Sequence, residues 1–121
     1  MLLELVEREV ILAVLSNKPH EFAVLAVEHF FPNIHFAKIQ GSPRGGKAKP
    51  DPSLALDMAR EFKLAPGEVI FMGDSSLDMD TAVAAGMLAG GDLWGFRTAD
   101  ELKRHCAKIL LERPGDIFRH L

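Results

Sequence analysis

Short runs of apolar residues alternate along this chain with stretches in which apolar residues recur every three or four positions. The apolar run at residues 10–15 is followed by the polar pair Ser16-Asn17, which predicts a strand buried on both faces and ending at that pair. Pro19 opens a predicted helix, which ends before Pro32. The residues that form the predicted apolar face of this helix are Phe22, Leu25, Ala26, His29 and Phe30.

The remainder of the chain continues the same alternation. Further strands are predicted over residues 35–40, 68–72 and 87–94, with an edge strand over 109–111. Further helices are predicted over residues 52–63, 81–85 and 98–106, and Gly86 is expected to supply a left-handed C-cap. Residues 41–47 are too rich in glycine and proline for a regular element, and we expect a loop there.

Strands and helices that alternate at this spacing indicate right-handed βαβ units and a mainly parallel sheet, which is an α/β fold. Ligands of such sheets bind beyond the carboxyl ends of the strands. We therefore expect Ser16, Lys49 and the acids of residues 74–78 to lie at one edge of the sheet.

Composition limits the classes of protein that remain. A chain of 121 residues with 48% hydrophobic content can bury one core, so we expect a single domain over residues 1–121. The formal charge of −3 and the scattered basic residues exclude a nucleic-acid footprint. No apolar run approaches the roughly 18 residues of a membrane span. The acidic start and the single Cys106 favour a cytoplasmic protein without disulfides.

Two carboxylates follow the third predicted strand in the segment Gly73-Asp74-Ser75-Ser76-Leu77-Asp78. Acids placed so close repel each other unless a proton or a cation relieves them, and hard divalent cations prefer oxygen ligands. Asp74 and Asp78 are therefore candidate Mg²⁺ ligands. The alternative is a loop between a strand and a helix, in which Asp78 caps the helix.

A hydroxyl and an ammonium group at the same edge would complete a site for a phosphoryl group. Ser16 and the adjacent backbone N–H groups can donate to phosphate oxygens, and Lys49 can neutralise their charge. Asn17 can orient a ligand oxygen. The alternatives are that Ser16 forms a local turn, that Asn17 terminates a strand, and that Lys49 is a solvated charge.

In this order along the chain, the motifs resemble those of the haloacid dehalogenase-like hydrolase superfamily, and most closely its phosphoglycolate phosphatase-like branch. The segments that carry the resemblance are residues 10–16, 49–52, 69–78, 81–87, 94–97 and 101–102, and the likeness covers essentially all 121 residues. It implies a three-layer Rossmann-like core with a mainly parallel sheet.

The resemblance also implies a role for each matching residue. Ser16 and Asn17 match the phosphate-binding positions, and Lys49 matches the lysine that stabilises the phosphoryl group and the nucleophile. Asp74 and Asp78 match the acids that position Mg²⁺, and Asp74 and Lys49 count as catalytic. The implied activity is Mg²⁺-dependent hydrolysis of a small phosphorylated metabolite through an aspartyl-phosphate; no organic cofactor is implied.

The chain departs from the family at the attacking group. In the family, the nucleophile is the first Asp of an Asp-x-Asp motif after an N-terminal central strand, and neither that strand nor the cap that selects substrate is recognisable here. The hypothesis is that these residues are an inactive C-terminal portion of a longer phosphatase. The open strand edges would pair directly, accept a strand from another copy, or receive one from a missing N-terminal segment.

Asp92 is a smaller departure, since the family has an apolar strand residue there. We interpret it as belonging to an edge strand from which Asp92 reaches water. Two other classes of function remain as alternatives to the phosphatase. One is a non-catalytic remnant that binds phosphate or metal or serves as an interaction module. The other is a receiver-like signalling domain, which the order of the elements disfavours because no acceptor Asp precedes Ser16.

Overall fold

The computed structural model describes residues 2–42, 49–93, 98–105 and 107–121. The chain divides into two compact units, Met1–Ala48 and Lys49–Leu121, which we describe in turn. The expectation of one domain stays a prediction. Gly41 and Ser42 of the loop predicted over residues 41–47 belong instead to a strand, and the rest of that loop, residues 94–97 and Cys106 lie outside the described residues.

The N-terminal unit contains two helices and two parallel strands. Its elements are α1 (Leu2–Glu7), β1 (Ala13–Pro19), α2 (His20–Phe30) and β2 (Lys38–Ser42). The sequence pattern predicted β1, α2 and β2 but not α1. Leu5 of α1 is buried, and two backbone hydrogen bonds, from Arg8 to Glu4 and from Val10 to Leu5, close the end of this helix.

Strand β1 continues past the point where the sequence predicted its end. Residues Ala13 to Leu15 pair in register with β2, but the next pair joins Pro19 to Ser42. Between these two pairs, β1 advances by four residues and β2 by two, so β1 has two extra residues that interrupt the ladder. The prediction that β1 is buried on both faces was wrong, because it belongs to a two-stranded sheet and its residues are half-buried or exposed.

The apolar face predicted for α2 is the exposed one. Phe22, Leu25 and Phe30 are 62%, 60% and 71% exposed, whereas Ala23 is 2% exposed. Helix α2 is apolar around most of its circumference, so periodicity does not decide which face packs. The side with the small Ala23 allows the closest approach to the sheet, and this side is the buried one.

The C-terminal unit contains three helices, three strands and two 3₁₀ helices among its described residues. These are α3 (Ser53–Glu61), a 3₁₀ helix (Pro66–Glu68), β3 (Ile70–Gly73), α4 (Ser76–Ala85), β4 (Leu88–Asp92), α5 (Ala99–Arg104), β5 (Ile109–Leu111) and a 3₁₀ helix (Pro114–His120). Each predicted element of this half is present with its ends shifted by a few residues. Within the described residues, no helix is long and apolar enough to cross a membrane.

The three strands of this unit form a parallel sheet in the order β3-β4-β5. Residue pairing runs from Ile70 opposite Leu88 to Gly73 opposite Gly91. The α/β class with parallel strands is confirmed. The interpretation of β4 as an edge strand was wrong, because β4 lies between β3 and β5.

The core of the C-terminal unit is built on α4, which contacts β3 and β4. Met79, Ala82 and Ala85 of α4 are nearly inaccessible, and so are Leu102 of α5 and Leu111 of β5. Small side chains on α4 allow this helix to lie close to the sheet, as the sequence predicted.

Gly86 ends α4 in the left-handed conformation, with φ of 73°, and its N–H bonds to the carbonyl groups of Ala82 and Val83. The predicted C-cap is therefore confirmed. Only glycine adopts this backbone region without a steric cost.

Replacing Gly86 with alanine should lower the free energy of unfolding by about 1 kcal/mol, because a Cβ atom clashes with the backbone at positive φ. Urea unfolding followed by circular dichroism measures the change. Gly67→Ala is the matched control, since no atom lies within 4 Å of the added Cβ and the backbone there is not left-handed. Equal losses in the two variants would show that the left-handed cap does not cause the effect.

Candidate functional site

The carboxylate of Asp78 accepts hydrogen bonds from three donors of the C-terminal unit. Its Oδ1 accepts a hydrogen bond from Nζ of Lys49 at 2.6 Å. Its Oδ2 accepts from the backbone N–H of Asp74 at 3.2 Å and from Oγ of Ser75 at 3.1 Å. Asp78 is 7% exposed, and this set of donors compensates for the loss of water around its charge.

Lys49 and Asp78 form a largely buried ion pair, with side chains that are 14% and 10% exposed. The two residues are 29 positions apart in sequence, so the pair joins the start of the unit to α4. Removing either partner of such a pair destabilises the fold, because the remaining charge is buried without compensation. The alternative interpretation of Lys49 as a solvated charge does not fit this environment.

The strand that precedes the site ends in glycine because no side chain fits there. A Cβ atom placed on Gly73 would collide with the side chain of Asp78. The close approach of the Asp78 carboxylate to the end of β3 therefore depends on this glycine.

Helix α4 begins at Ser76 instead of the predicted Thr81, and its N-cap is Ser75. The Ser75 hydroxyl accepts from the backbone N–H of Asp78 at 3.4 Å and donates to the Asp78 carboxylate. Asp78 thus lies in the first turn of the helix, where the helix dipole favours an anion, and it is not the cap. The spacing Ser-x-x-Asp is a capping signature and could have identified Ser75 from the sequence.

Asp92 lies beside these acids and was not among the predicted site residues. It ends β4, and the preceding Gly91 pairs with Gly73, the residue before Asp74. Burial raises the pKa of Asp92 from 3.8 to about 6, and the charges of Asp74 and Asp78 add to the shift. Its Oδ1 is buried, and no hydrogen-bond partner for it appears in the part of the chain that the structure describes. The expected water-facing position is therefore incorrect.

Ser16 and Asn17 belong to the N-terminal unit, in the interrupted part of β1. Oγ of Ser16 accepts a hydrogen bond from the backbone N–H of Lys18 at 3.1 Å. Ser16 is half-buried and Asn17 is exposed. Their predicted convergence with Lys49 and Asp74 on one phosphate stays a prediction.

The charges around the end of β3 suit a divalent cation. Asp74, Asp78 and Asp92 contribute three carboxylates, and Lys49 contributes one ammonium group, so two negative charges remain when all are ionised. Among the described residues, no group of three or more His, Cys, Asp or Glu side chains is arranged as a metal-binding cluster. Mg²⁺ in proteins is commonly held by one or two carboxylates and several waters, and Asp74 with its neighbouring acids fits that mode.

Parallel strands connected by helices are the architecture of a Rossmann-like α/β domain, and the Lys49–Asp78 pair lies at the carboxyl end of β3, where such domains bind ligands. The sequence model of the haloacid dehalogenase-like hydrolase family matches residues 1–90. This match covers most of the chain, and the chain belongs to the haloacid dehalogenase-like hydrolase family.

Individual relatives agree with this assignment. A phosphoglycolate phosphatase from Pectobacterium atrosepticum is 28% identical over 117 residues, which are 97% of this chain and 50% of the relative. The structure of a predicted phosphoglycolate phosphatase from Haemophilus somnus is 25% identical with a TM-score of 0.88, over 98% of this chain and 53% of that chain. The structure of a hydrolase of the same superfamily from Ehrlichia chaffeensis is 28% identical with a TM-score of 0.77. The match covers 98% of this chain and 53% of that chain. The chain thus spans about half the length of the relatives it matches.

Breaking the Lys49–Asp78 pair should destabilise the protein strongly. We expect Lys49→Met and Asp78→Asn each to lower the free energy of unfolding by about 3 kcal/mol, and the double variant to lose much less than the sum. Urea unfolding of the four proteins measures this coupling. Arg60→Met, which removes the exposed ion pair of Arg60 with Asp57, should cost under about 1 kcal/mol. Additive losses at Lys49 and Asp78 would contradict the interaction.

The raised pKa of Asp92 makes stability depend on pH in a defined direction. The folded state holds this proton up to about pH 6, whereas the unfolded state releases it near 3.8, so the contribution of Asp92 to stability falls as pH rises through that window. Asp92→Asn removes the titration. In metal-free buffer, the variant should gain stability relative to the parent between pH 4 and pH 7. A stability difference that stays constant with pH would refute the shift.

Proposed function

We propose that this chain is the C-terminal portion of a Mg²⁺-dependent phosphatase of the phosphoglycolate phosphatase type. The observation that carries the proposal is the buried ion pair of Lys49 and Asp78, set beside Asp74 at the carboxyl end of β3. This arrangement holds an ammonium group and acids where a phosphoryl group needs positive charge and a cation. The family membership and the names of the relatives support it.

Each residue has a distinct part in the proposed site. Lys49 neutralises charge on the phosphoryl oxygens while Asp78 fixes the position of its ammonium group. Asp74, with Asp78 beside it, would hold Mg²⁺, which when bound supplies positive charge to phosphoryl oxygens. For Ser16 and Asn17, the family resemblance implies hydrogen bonds to the phosphate.

The nucleophile is proposed to come from outside these 121 residues. An aspartate of a preceding polypeptide segment would attack phosphorus and form an aspartyl-phosphate. A neighbouring acid would give its proton to the leaving oxygen, so that the substrate leaves as an alcohol. Among the described residues, β1 pairs only with β2, and β3 only with β4. A strand from the missing segment, or from a second copy, would pair with the outer edge of β1 or of β3.

The substrate proposed is a small phosphate monoester. The names of the curated relatives give phosphoglycolate as the substrate. These relatives share 24–28% of their aligned residues with this chain, and they support phosphate monoesters as the class of substrate. Removal of phosphate from a small phosphorylated metabolite is therefore the reaction to test first.

The 121-residue chain alone should not hydrolyse an aryl phosphate in the presence of Mg²⁺. A chimera that joins it to the preceding half of the Pectobacterium atrosepticum phosphatase should hydrolyse phosphoglycolate. In the chimera, Lys49→Met or Asp74→Asn should lower kcat by about 100-fold, the usual loss when one charge-stabilising group is removed. Steady-state release of inorganic phosphate measures both.

Arg60→Met is the control in the chimera, since Arg60 is exposed on α3 and should not affect turnover. A chimera with native circular dichroism but no turnover would contradict the phosphatase proposal. Turnover by the isolated chain that Asp74→Asn abolishes would instead show that the nucleophile lies within these residues.

A further inference from the structure

Asp92 is a half-buried acid with one buried carboxylate oxygen, and the fold alone does not explain this position. It lies at the end of the central strand of the three-stranded sheet, between β3 and β5. A buried carboxylate oxygen without a donor is unfavourable, since it has lost water and gained no hydrogen bond. No described residue donates to its Oδ1.

The surroundings of Asp92 indicate what kind of group would satisfy this oxygen. The register that pairs Gly91 with Gly73 places Asp92 and Asp74 at adjacent positions of the same sheet edge. The ammonium group of Lys49 is bound to Asp78. Both oxygens of Asp78 already accept hydrogen bonds, whereas no described residue donates to the carboxylate of Asp74.

We propose that Asp92 is a positioning residue for the cation of this site, with its Oδ1 accepting a hydrogen bond from a water bound to Mg²⁺ at Asp74. The inference rests on the proposed metal site and adds to it a residue that the family resemblance does not supply. Mg²⁺ retains several waters in protein sites, and these waters are hydrogen-bond donors. An outer carboxylate that orients them changes metal affinity by about 10- to 100-fold in well-studied sites.

A bound cation would account for the position of Asp92 beside two other acids. Without a cation, Asp92 faces the negative charges of Asp74 and Asp78. With a divalent cation bound, the same three acids and Lys49 balance to zero net charge. Asp92 should therefore be unfavourable in the metal-free protein and favourable in the metal-bound protein.

The experiment is Mg²⁺ titration of the 121-residue chain by isothermal calorimetry at pH 7.5, with thermal unfolding in EDTA and in excess Mg²⁺ as the second readout. Asp92→Asn keeps the shape and removes the charge. It should weaken Mg²⁺ binding about 10-fold. It should also raise the unfolding temperature in EDTA and shrink the increase that Mg²⁺ produces.

Asp80→Asn is the matched control, because it removes the same charge from α4 at a half-exposed acid bonded to His105 at 2.8 Å. It should change Mg²⁺ affinity by less than about twofold. Asp74→Asn tests the proposed site itself and should weaken binding more than Asp92→Asn does.

The outcomes separate this inference from the proposed function. Binding that Asp74→Asn weakens and Asp92→Asn leaves unchanged would overturn the role of Asp92 alone. Equal weakening by Asp92→Asn and Asp80→Asn would also overturn it, since a general charge effect would then suffice. A parent chain that binds no Mg²⁺ would overturn the metal site and the inference together.

Discussion

The ion pair between Lys49 and Asp78 is the interaction on which the C-terminal unit depends. It joins the first residue of the unit to α4, and the other oxygen of Asp78 binds the loop between β3 and α4. Since both partners are largely buried, neither can be removed without leaving a charge that water does not reach. The same carboxylate therefore binds Lys49 through one oxygen and the loop residues Asp74 and Ser75 through the other.

The two units differ in how completely they bury their apolar residues. The C-terminal unit packs α4 closely on a parallel sheet and exposes few large apolar side chains among its described residues. Among the described residues of the N-terminal unit, Leu5 and Ala23 are the buried apolar ones, whereas Phe22, Leu25 and Phe30 of α2 are exposed. A two-stranded sheet is too narrow to cover all sides of an apolar helix, and such a unit gains stability from additional polypeptide. This agrees with a chain that spans about half the length of its relatives.

The order of the elements from β1 onward was predictable because strands and helices leave different periods in the sequence. The capping glycine Gly86 was predictable for a local reason, since it needs no knowledge of tertiary contacts. The buried face of α2 was not predictable, because its apolar residues surround the helix and packing against β1 and β2 decides between faces. The end of β1 was misplaced because pairing with β2 carries the strand through a polar segment.

The candidate site shows the same division between local and tertiary information. Lys49, Asp74 and Asp78 were identified as candidates from residue types and spacing, but the ion pair spans 29 positions and no local pattern encodes it. Asp92 was interpreted as water-facing because a lone acid in an apolar strand usually lies at an edge. The strand predicted at residues 109–111 could have corrected this interpretation. It pairs with β4 and makes β4 internal, so the acid at the end of β4 lies beside the ends of neighbouring strands.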